Sequence, residues 1–169
     1  MYRVGIGYDI HRFAPKRKFF LGGVLIPSRQ GLLGHSDADV LLHAICDALL
    51  GAAALGDIGK IFPNTDKRYK DISSLRLLGV VKKLLKEEGY SIVNVDSMVV
   101  LEAPKLSRYN RKMIKNISGV LKIPACSISI KATTNEGLGA IGANKAAAAY
   151  AIALVSRHLS SACQSSGER

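Results

Sequence analysis

Apolar and polar residues alternate along the chain with two different periods, and each period predicts one type of element. Near the start, bulky side chains at every second position alternate with Gly5 and Gly7, which is the period of a strand. Further on, apolar residues three and four positions apart indicate helices with one buried face. The pattern predicts strands over residues 3–10, 91–102 and 127–133, a hairpin over 19–27, helices over 36–55, 72–88, 105–123 and 144–159, a loop over 57–66 and a glycine-rich turn over 135–142.

The order of these elements indicates the fold class. Strands and helices mix without a strict strand–helix–strand alternation, which favours an α+β fold with helices packed on one face of a mixed β-sheet. The chain has 169 residues, 48% of them hydrophobic, and this is enough for one domain with a buried core. We therefore predict a single domain over residues 1–159 and a polar C-terminal tail over 160–169.

The charge of the chain restricts the classes of partner. A net charge of +11 is compatible with a nucleic acid, an anionic membrane surface or an acidic small molecule. The charge is uneven, because residues 35–66 carry five acidic side chains and one basic side chain, Lys60. This acidic block runs against the trend of the chain and is the candidate region for its chemistry.

Cysteine spacing and the length of apolar runs bear on the compartment. Cys46, Cys126 and Cys163 are scattered, which fits a reducing compartment better than a disulfide framework. No apolar run approaches the roughly 18–20 residues of a membrane span. An acidic residue, Asp9, interrupts the N-terminal stretch, so it does not resemble a signal peptide. We expect a cytoplasmic protein with no membrane partner.

Two short polar patterns predict a metal site. Asp9 and His11 are two residues apart at the end of the first predicted strand, so their side chains point to the same side. On the predicted helix over 36–55, polar side chains recur at spacings of three and four residues, at Ser36, Asp39, His43 and Asp47. His43 lies between two acids, and such surroundings are typical of a metal ligand supported by carboxylates.

Together, Asp9, His11 and His43 would form a set of three ligands that leaves one tetrahedral position open. An open position is typical of catalytic zinc rather than structural zinc. The spacing alone leaves a second interpretation open, in which Asp9 and His11 belong to a surface turn and His43 is a structural residue.

A glycine-rich segment near the C-terminus matches the spacing of a dinucleotide-binding turn. Residues 137–142 read G-x-G-x-x-G between a predicted strand and a predicted helix. A dinucleotide site also needs an acidic residue about 20 positions later, at the end of a following strand, and this sequence has none there. The preceding residues 131–136 instead supply hydroxyls and one carboxylate, which suit a phosphate and a hard cation.

The predicted helix over 105–123 is strongly basic. Its basic residues are Lys105, Arg108, Arg111, Lys112, Lys115 and Lys122. Nucleic-acid binding would require aromatic side chains for stacking or a recognisable module, and only Tyr109 is near, on the apolar face. A solvated helix face is the favoured interpretation, and a basic RNA-binding module remains the non-enzyme alternative. Among enzymes, a generic zinc phosphohydrolase could use the same three ligands.

Four segments together carry a resemblance to a known family. They are Gly7-Tyr-Asp-Ile-His-Arg-Phe13, His35-Ser-Asp-Ala-Asp-Val40 continuing through His43, residues 47–63, and Lys131-Ala-Thr-Thr-Asn-Glu136. The chain resembles the 2-C-methyl-D-erythritol 2,4-cyclodiphosphate synthases of the non-mevalonate isoprenoid pathway, from residue 3 to about residue 155. The resemblance implies one catalytic domain that assembles as a homotrimer, with active sites between subunits.

The resemblance implies roles for individual residues of this sequence. It places zinc ligands at Asp9, His11 and His43, and a ligand for a second ion, Mg²⁺ or Mn²⁺, at Glu136. Catalytic roles are expected for His35, Thr134 and Asp47, the last as a residue that orients His43 or the substrate. The expected substrate-binding positions are Ser36, Asp57, Gly59, Phe62, Asp66, Pro104, Lys105, Leu106, Ala132 and Thr133.

The reaction that the resemblance implies needs no nucleophile from the protein. The 2-phosphate of 4-diphosphocytidyl-2-C-methyl-D-erythritol 2-phosphate attacks the β-phosphorus of the diphosphate arm, closes a ring and expels CMP. The protein would supply alignment of the groups and stabilisation of charge. A small cytidine diphosphate compound is then the expected partner, and no nucleic acid is expected.

Overall fold

The computed structural model describes residues 1–157, so the predicted tail over 160–169 lies outside this range. The strands are β1 (Tyr2–Pro15), β2 (Phe19–Leu21), β3 (Val24–Ile26), β4 (Gln30–Leu32), β5 (Tyr90–Val100), β6 (Ile128–Thr133) and β7 (Ala146–Arg157). The helices are α1 (Val40–Ala53), α2 (Ile58–Ile61), α3 (Ser74–Glu87), α4 (Asn110–Leu121) and α5 (Gly139–Gly142). None of these helices is both long enough and apolar enough to cross a bilayer.

A mixed sheet of five strands organises the fold. The strand order is β4-β1-β7-β5-β6, in which β5 and β6 are parallel and the other neighbours are antiparallel. The strands β2 and β3 form a separate hairpin, as the sequence predicts. Helix α1 packs on β1 and β7, and α3 packs on α1. The predicted α+β domain, with helices on one face of a mixed sheet, is therefore confirmed.

The prediction of a helix over 144–159 was wrong, because residues 146–157 form the strand β7. Alanine favours helices, but β7 pairs with β1 on one side and with β5 on the other, and this pairing overrides the local preference. Ala149 and Ala153 are fully buried, and α1 packs on β7. The residues between them, Tyr150 and Ile152, point to the opposite face and are 42% and 49% exposed.

The strand β1 buries its small residues rather than its bulky ones. A Cβ atom added to Gly7 would lie 1.9 Å from the carbonyl oxygen of Ala44 in α1, and one added to Gly5 would lie 2.1 Å from that of Ala48. These glycines therefore permit α1 to lie directly against the strand. The alternate positions face away from α1 and expose large apolar side chains, at Tyr2, Val4, Ile6, Tyr8 and Ile10.

The first long helix begins later than the sequence suggests. Asp39, rather than Ser36, is the N-cap of α1, and its carboxylate accepts a hydrogen bond from the backbone N–H of Leu42 at 3.1 Å. The same buried carboxylate also accepts hydrogen bonds from the backbone N–H groups of Gly22 and Gly23 at 3.0 and 2.7 Å. Asp39 therefore fixes the β2–β3 turn to α1, and within residues 1–157 its carboxylate makes no hydrogen bond to the ring of His43.

Several short elements lie where the sequence predicts none. The predicted loop over 57–66 contains α2, and the predicted turn over 135–142 contains α5. The short strand β4 pairs with the end of β1, which runs to Pro15 instead of ending near residue 10. Elements of three or four residues are too short to show a hydrophobic period, so tertiary contacts decide them.

Candidate functional site

The strand β1 and the helix α1 bring three predicted metal ligands together. Asp9 and His11 continue the face of β1 that carries Gly5 and Gly7, so both point toward α1. From α1, His43 Nδ1 lies 2.8 Å from Asp9 Oδ2 and 3.2 Å from His11 Nε2. Asp9 Oδ2 and His11 Nε2 are 3.0 Å apart. The close packing that the glycines permit therefore places His43 within reach of the strand.

The three atoms have the spacing that a tetrahedral metal ion requires. Zinc bonds to nitrogen and oxygen are about 2.0–2.1 Å, which places two ligands of a tetrahedron about 3.3 Å apart. Asp9, His11 and His43 are the one group among the described residues whose acidic, histidine or cysteine atoms could hold a metal ion together. Two imidazoles and one carboxylate are a donor set that suits zinc.

The electrostatics of the three ligands favour positive charge at this point. Burial alone would raise the pKa of Asp9, but hydrogen bonds from His11 and His43 hold that pKa well below its usual range. Burial alone would lower the pKa of His43, but the hydrogen bond and negative charge of Asp9 outweigh this effect and raise that pKa. The three side chains are therefore arranged to share protons or, in their place, a cation.

The ligands line a cavity of about 310 Å³, which we call the His43 cavity. The predicted residues that line it are Asp9, His11, His35, Ser36, His43, Gly59 and Phe62. Six other residues, which were not predicted as site residues, complete the lining: Leu33, Gly34, Ile58, Asn64, Tyr69 and Leu77. An aromatic residue in a charged segment is a signal that could have identified Tyr69, whose ring packs edge-on against Phe62 at 5.2 Å.

Three predicted acidic residues hold backbone near this cavity without lining it. Asp47 accepts a hydrogen bond from the backbone N–H of Ile58 at 2.7 Å, and burial raises the pKa of Asp47. Asp57 caps α2 through the backbone N–H of Lys60, and Asp66 accepts a hydrogen bond from the backbone N–H of Arg68 at 2.9 Å. Within residues 1–157, Asp47 has no hydrogen bond to His43, so the structure connects Asp47 to α2 instead.

The remaining predicted residues lie around a second cavity of about 330 Å³, which we call the Pro104 cavity. It is lined by Leu101, Glu102, Pro104, Lys105, Leu106, Ser107, Ala132, Thr133 and Thr134. Six of these nine residues were predicted from the sequence. Of the residues that the structure describes, none lines both cavities, so a single chain holds the two predicted groups of residues in separate places.

Glu136 belongs to the second group and not to the three metal ligands. Its Oε1 atom accepts a hydrogen bond from Thr134 Oγ1 at 2.6 Å. The adjacent backbone is held by Glu102, whose carboxylate accepts a hydrogen bond from the N–H of Asn135 at 2.8 Å. The carboxylate of Glu136 is thus bonded to Thr134, which lines the Pro104 cavity.

Relatives with assigned names match the chain over nearly its whole length. A family model described as the YgbB family matches residues 2–156. The 2-C-methyl-D-erythritol 2,4-cyclodiphosphate synthase of Chlorobium phaeobacteroides is 60% identical over 153 residues, which are 90% of this chain and 97% of that protein. The synthase of Syntrophomonas wolfei is 56% identical over 153 residues, which are 90% of this chain and 98% of that protein.

Solved structures share the fold. The CDP complex of IspF from Plasmodium falciparum has a TM-score of 0.81 and 38% identity, and the match covers 92% of this chain and 96% of that one. The bifunctional IspDF of Campylobacter jejuni has a TM-score of 0.90 and 38% identity over 94% of this chain, which spans 43% of that longer protein. With a matching family model, a common fold and relatives matched almost end to end, this chain belongs to the YgbB family, that of the 2-C-methyl-D-erythritol 2,4-cyclodiphosphate synthases.

Proposed function

We propose that this protein converts 4-diphosphocytidyl-2-C-methyl-D-erythritol 2-phosphate to 2-C-methyl-D-erythritol 2,4-cyclodiphosphate and CMP. It would thus act as a phosphorus–oxygen lyase in non-mevalonate isoprenoid precursor synthesis, and residues 1–159 would form its catalytic domain. The observation that carries the proposal is the cluster of Asp9, His11 and His43 at a cavity that also contains His35 and Ser36. The cytoplasm is the proposed location, in keeping with the scattered cysteines.

Two metal ions are part of the proposal. Asp9, His11 and His43 would hold one zinc ion per chain, because their donor set and spacing fit zinc. Glu136 would hold Mg²⁺ or Mn²⁺ together with the substrate, since a single carboxylate with substrate phosphates is a common arrangement for such ions. When bound, the zinc ion would supply a Lewis acid toward a phosphate oxygen.

The residues of the His43 cavity would bind the sugar and its phosphates. His35 and Ser36 would contact phosphate, and Gly59 and Phe62 would contact the methylerythritol part. Asp57 and Asp66 would shape the same region, since each caps the short helical turn that follows it. Asp47 would support this pocket by holding the first residue of α2.

The residues of the Pro104 cavity would bind the cytidine end of the substrate. Two solved relatives were determined with CDP bound, which supports a cytidine diphosphate ligand for this chain as well. Lys105 would bind phosphate, and Thr134 would stabilise charge on the leaving group. The backbone around the four remaining predicted residues would hold the base; these are Pro104, Leu106, Ala132 and Thr133.

Catalysis in this proposal depends on alignment. The attacking oxygen belongs to the 2-phosphate of the substrate, so the protein has to hold two phosphates in line and exclude competing water. Preorganised donors that face the developing negative charge contribute most to such reactions. His35 and Thr134 are the side chains we assign to this role.

The proposed assembly is a homotrimer with each active site formed between two subunits. The sheet face opposite α1 supports a partner, because it exposes apolar side chains at Tyr2, Val4, Ile6, Tyr8, Ile10, Tyr150 and Ile152, each at least 42% exposed. A contiguous apolar patch of this kind is typical of a protein interface. A trimer would also allow the His43 cavity of one subunit to meet the Pro104 cavity of its neighbour.

Complementation between two inactive variants tests this assembly. We expect His43→Ala and Lys105→Ala chains to be nearly inactive alone, and their equal co-expression to restore about a quarter of the wild-type activity through random cyclic trimers. Activity is measured as CMP release from all of the co-expressed protein, homotrimers included, and mass in solution is measured in parallel. Mixtures as inactive as the separate variants would show that each site lies within one subunit.

Product analysis tests the reaction itself. Incubation with the cytidylylated substrate, followed by phosphorus NMR, is expected to show a cyclic diphosphate and CMP. A generic zinc phosphohydrolase would yield inorganic phosphate or a linear product instead. A basic RNA-binding module would leave the substrate unchanged and bind a generic oligonucleotide with a steep dependence on salt.

A further inference from the structure

The two ring nitrogens of His43 face different surroundings. Nδ1 points to Asp9 and His11, whereas Nε2 points to two hydroxyl groups. These are Ser36 Oγ and Ser74 Oγ, each 3.0 Å from Nε2. For Nδ1 to bind a metal ion, the neutral ring must carry its proton on Nε2, and that proton then needs an acceptor.

The hydroxyl of Ser74 is constrained to be that acceptor. It donates its own proton to Asp37 Oδ1, and an ionised carboxylate can only accept. The lone pairs of Ser74 Oγ are then available to the Nε2–H of His43 at 3.0 Å. Among residues 1–157, no comparable side-chain acceptor fixes the proton of Ser36, whose oxygen accepts a hydrogen bond from the N–H of Ala38 at 3.2 Å.

Backbone contacts hold Asp37 in place. Its Oδ2 atom accepts a hydrogen bond from the backbone N–H of Ser74 at 2.9 Å, and its Oδ1 atom accepts one from the N–H of Asp39 at 3.3 Å. The carboxylate therefore bridges the segment before α1 and the first residue of α3. Because two backbone donors and one hydroxyl fix it, the carboxylate has little freedom to turn away from Ser74.

Burial protects the hydrogen bond between Ser74 and His43 from competition by water. Ser74 is completely inaccessible to solvent, and the side chain of His43 is 12% exposed. Water does not reach Ser74 to compete for the hydrogen bond, and a buried polar group that loses its partner destabilises the site. The hydrogen bonds that connect Asp37 to Ser74 and Ser74 to His43 are therefore shielded from solvent at the serine.

We propose that Ser74 and Asp37 are positioning residues for the metal site, which act through His43 and contact neither the ion nor the substrate. Their hydrogen bonds keep the proton of the imidazole on Nε2 and turn Nδ1 toward Asp9 and His11. The inference rests on the proposed function, because it concerns the same three ligands. It adds two residues that are supplied by α3 and by the segment before α1, neither of which provides a ligand.

Zinc affinity tests the proposal without any measurement of turnover. We expect Ser74→Ala to weaken zinc binding about 10- to 100-fold relative to the wild type, as is typical when a partner of a ligating histidine is removed. The measurement is competition with a chromogenic chelator, and the visible absorption of the cobalt-substituted protein should change as well. The matched control is Ser73→Ala, because the side chain of Ser73 makes no cap hydrogen bond. This variant should bind zinc as tightly as the wild type does.

A second variant separates positioning from folding. Asp37→Asn keeps the serine hydroxyl but changes its partner, and we expect it also to weaken zinc binding. Melting temperatures of both variants are compared in the presence of chelator, since a purely structural role would lower them and leave the zinc affinity unchanged. Wild-type zinc affinity in folded Ser74→Ala would overturn the inference, whereas a wild-type protein that binds no zinc would contradict the proposed function itself.

Discussion

Replacing His43 by alanine is expected to lower the rate of CMP release about a thousandfold or more. The variant lacks one of the three proposed metal ligands, and a Lewis acid contributes several kcal/mol to such a reaction, at about 1.4 kcal/mol for each tenfold in rate. The zinc content of the purified protein should fall from about one ion per chain to nearly none. Both quantities are measured on the same preparation, by product analysis and by metal analysis.

Two further variants make this result specific. His11→Ala removes a ligand from β1 rather than α1, and it should give the same loss of zinc and of activity. Glu87→Gln changes an exposed carboxylate on α3 that pairs with Lys83 at 3.6 Å, and it should retain both. A His43→Ala protein with full zinc content and full turnover would remove the basis of the proposed site.

Replacing Gly7 by alanine is expected to destabilise the fold by at least about 3 kcal/mol, which is the upper part of the usual range for overpacking. The new Cβ atom would lie 1.9 Å from the carbonyl oxygen of Ala44 and 2.7 Å from the backbone nitrogen of Ala48. Both atoms are backbone, so α1 must move away from β1. Because this contact also sets the distance between His43 and Asp9, zinc binding should weaken together with stability. Urea unfolding in the presence of chelator measures the first effect.

Gly51 provides the matched control on the same helix. A Cβ atom added there would meet only the carbonyl oxygen of Ile6, at 3.8 Å. Within a helix, alanine is more stable than glycine by about 0.5–1 kcal/mol. Gly51→Ala should therefore leave the stability of the protein unchanged or raise it. Equal destabilisation by both substitutions would show that the close approach of α1 to β1 is not what requires glycine at position 7.

Local patterns were sufficient to predict the three side chains that meet at the candidate metal site. Asp9 and His11 are two residues apart on one strand, so their side chains share a face whatever the rest of the fold does. His43 could be identified because it is one of few polar residues on a helix that is otherwise apolar. Asp39 and Asp47 are near enough for their charges to interact with His43, but their carboxylates accept hydrogen bonds from the Gly22–Gly23 turn and from Ile58. The groups that contact His43 Nε2 are hydroxyls instead.

Ser74 shows why sequence patterns cannot predict some residues of the site. It lies 31 positions after His43, on a different helix, and an isolated serine has no pattern that connects it to a distant histidine. Only the packing of α3 on α1 brings the two side chains to 3.0 Å. The same holds for Tyr69 and Leu77, which line the His43 cavity from outside the predicted motifs.

The sequence by itself determined the α+β class and the places of most long elements, and it identified the three side chains that meet at the candidate metal site, because these depend on periods of two to four residues along the chain. The tertiary structure alone decided that residues 146–157 are a strand, and which face of β1 is buried. Alanine is small enough to fit in a helix or in a strand that is covered by a helix. Pairing with β1 and β5 therefore decides the secondary structure of this alanine-rich segment. Contacts between distant segments, and not local preference, supply the free energy that settles such positions.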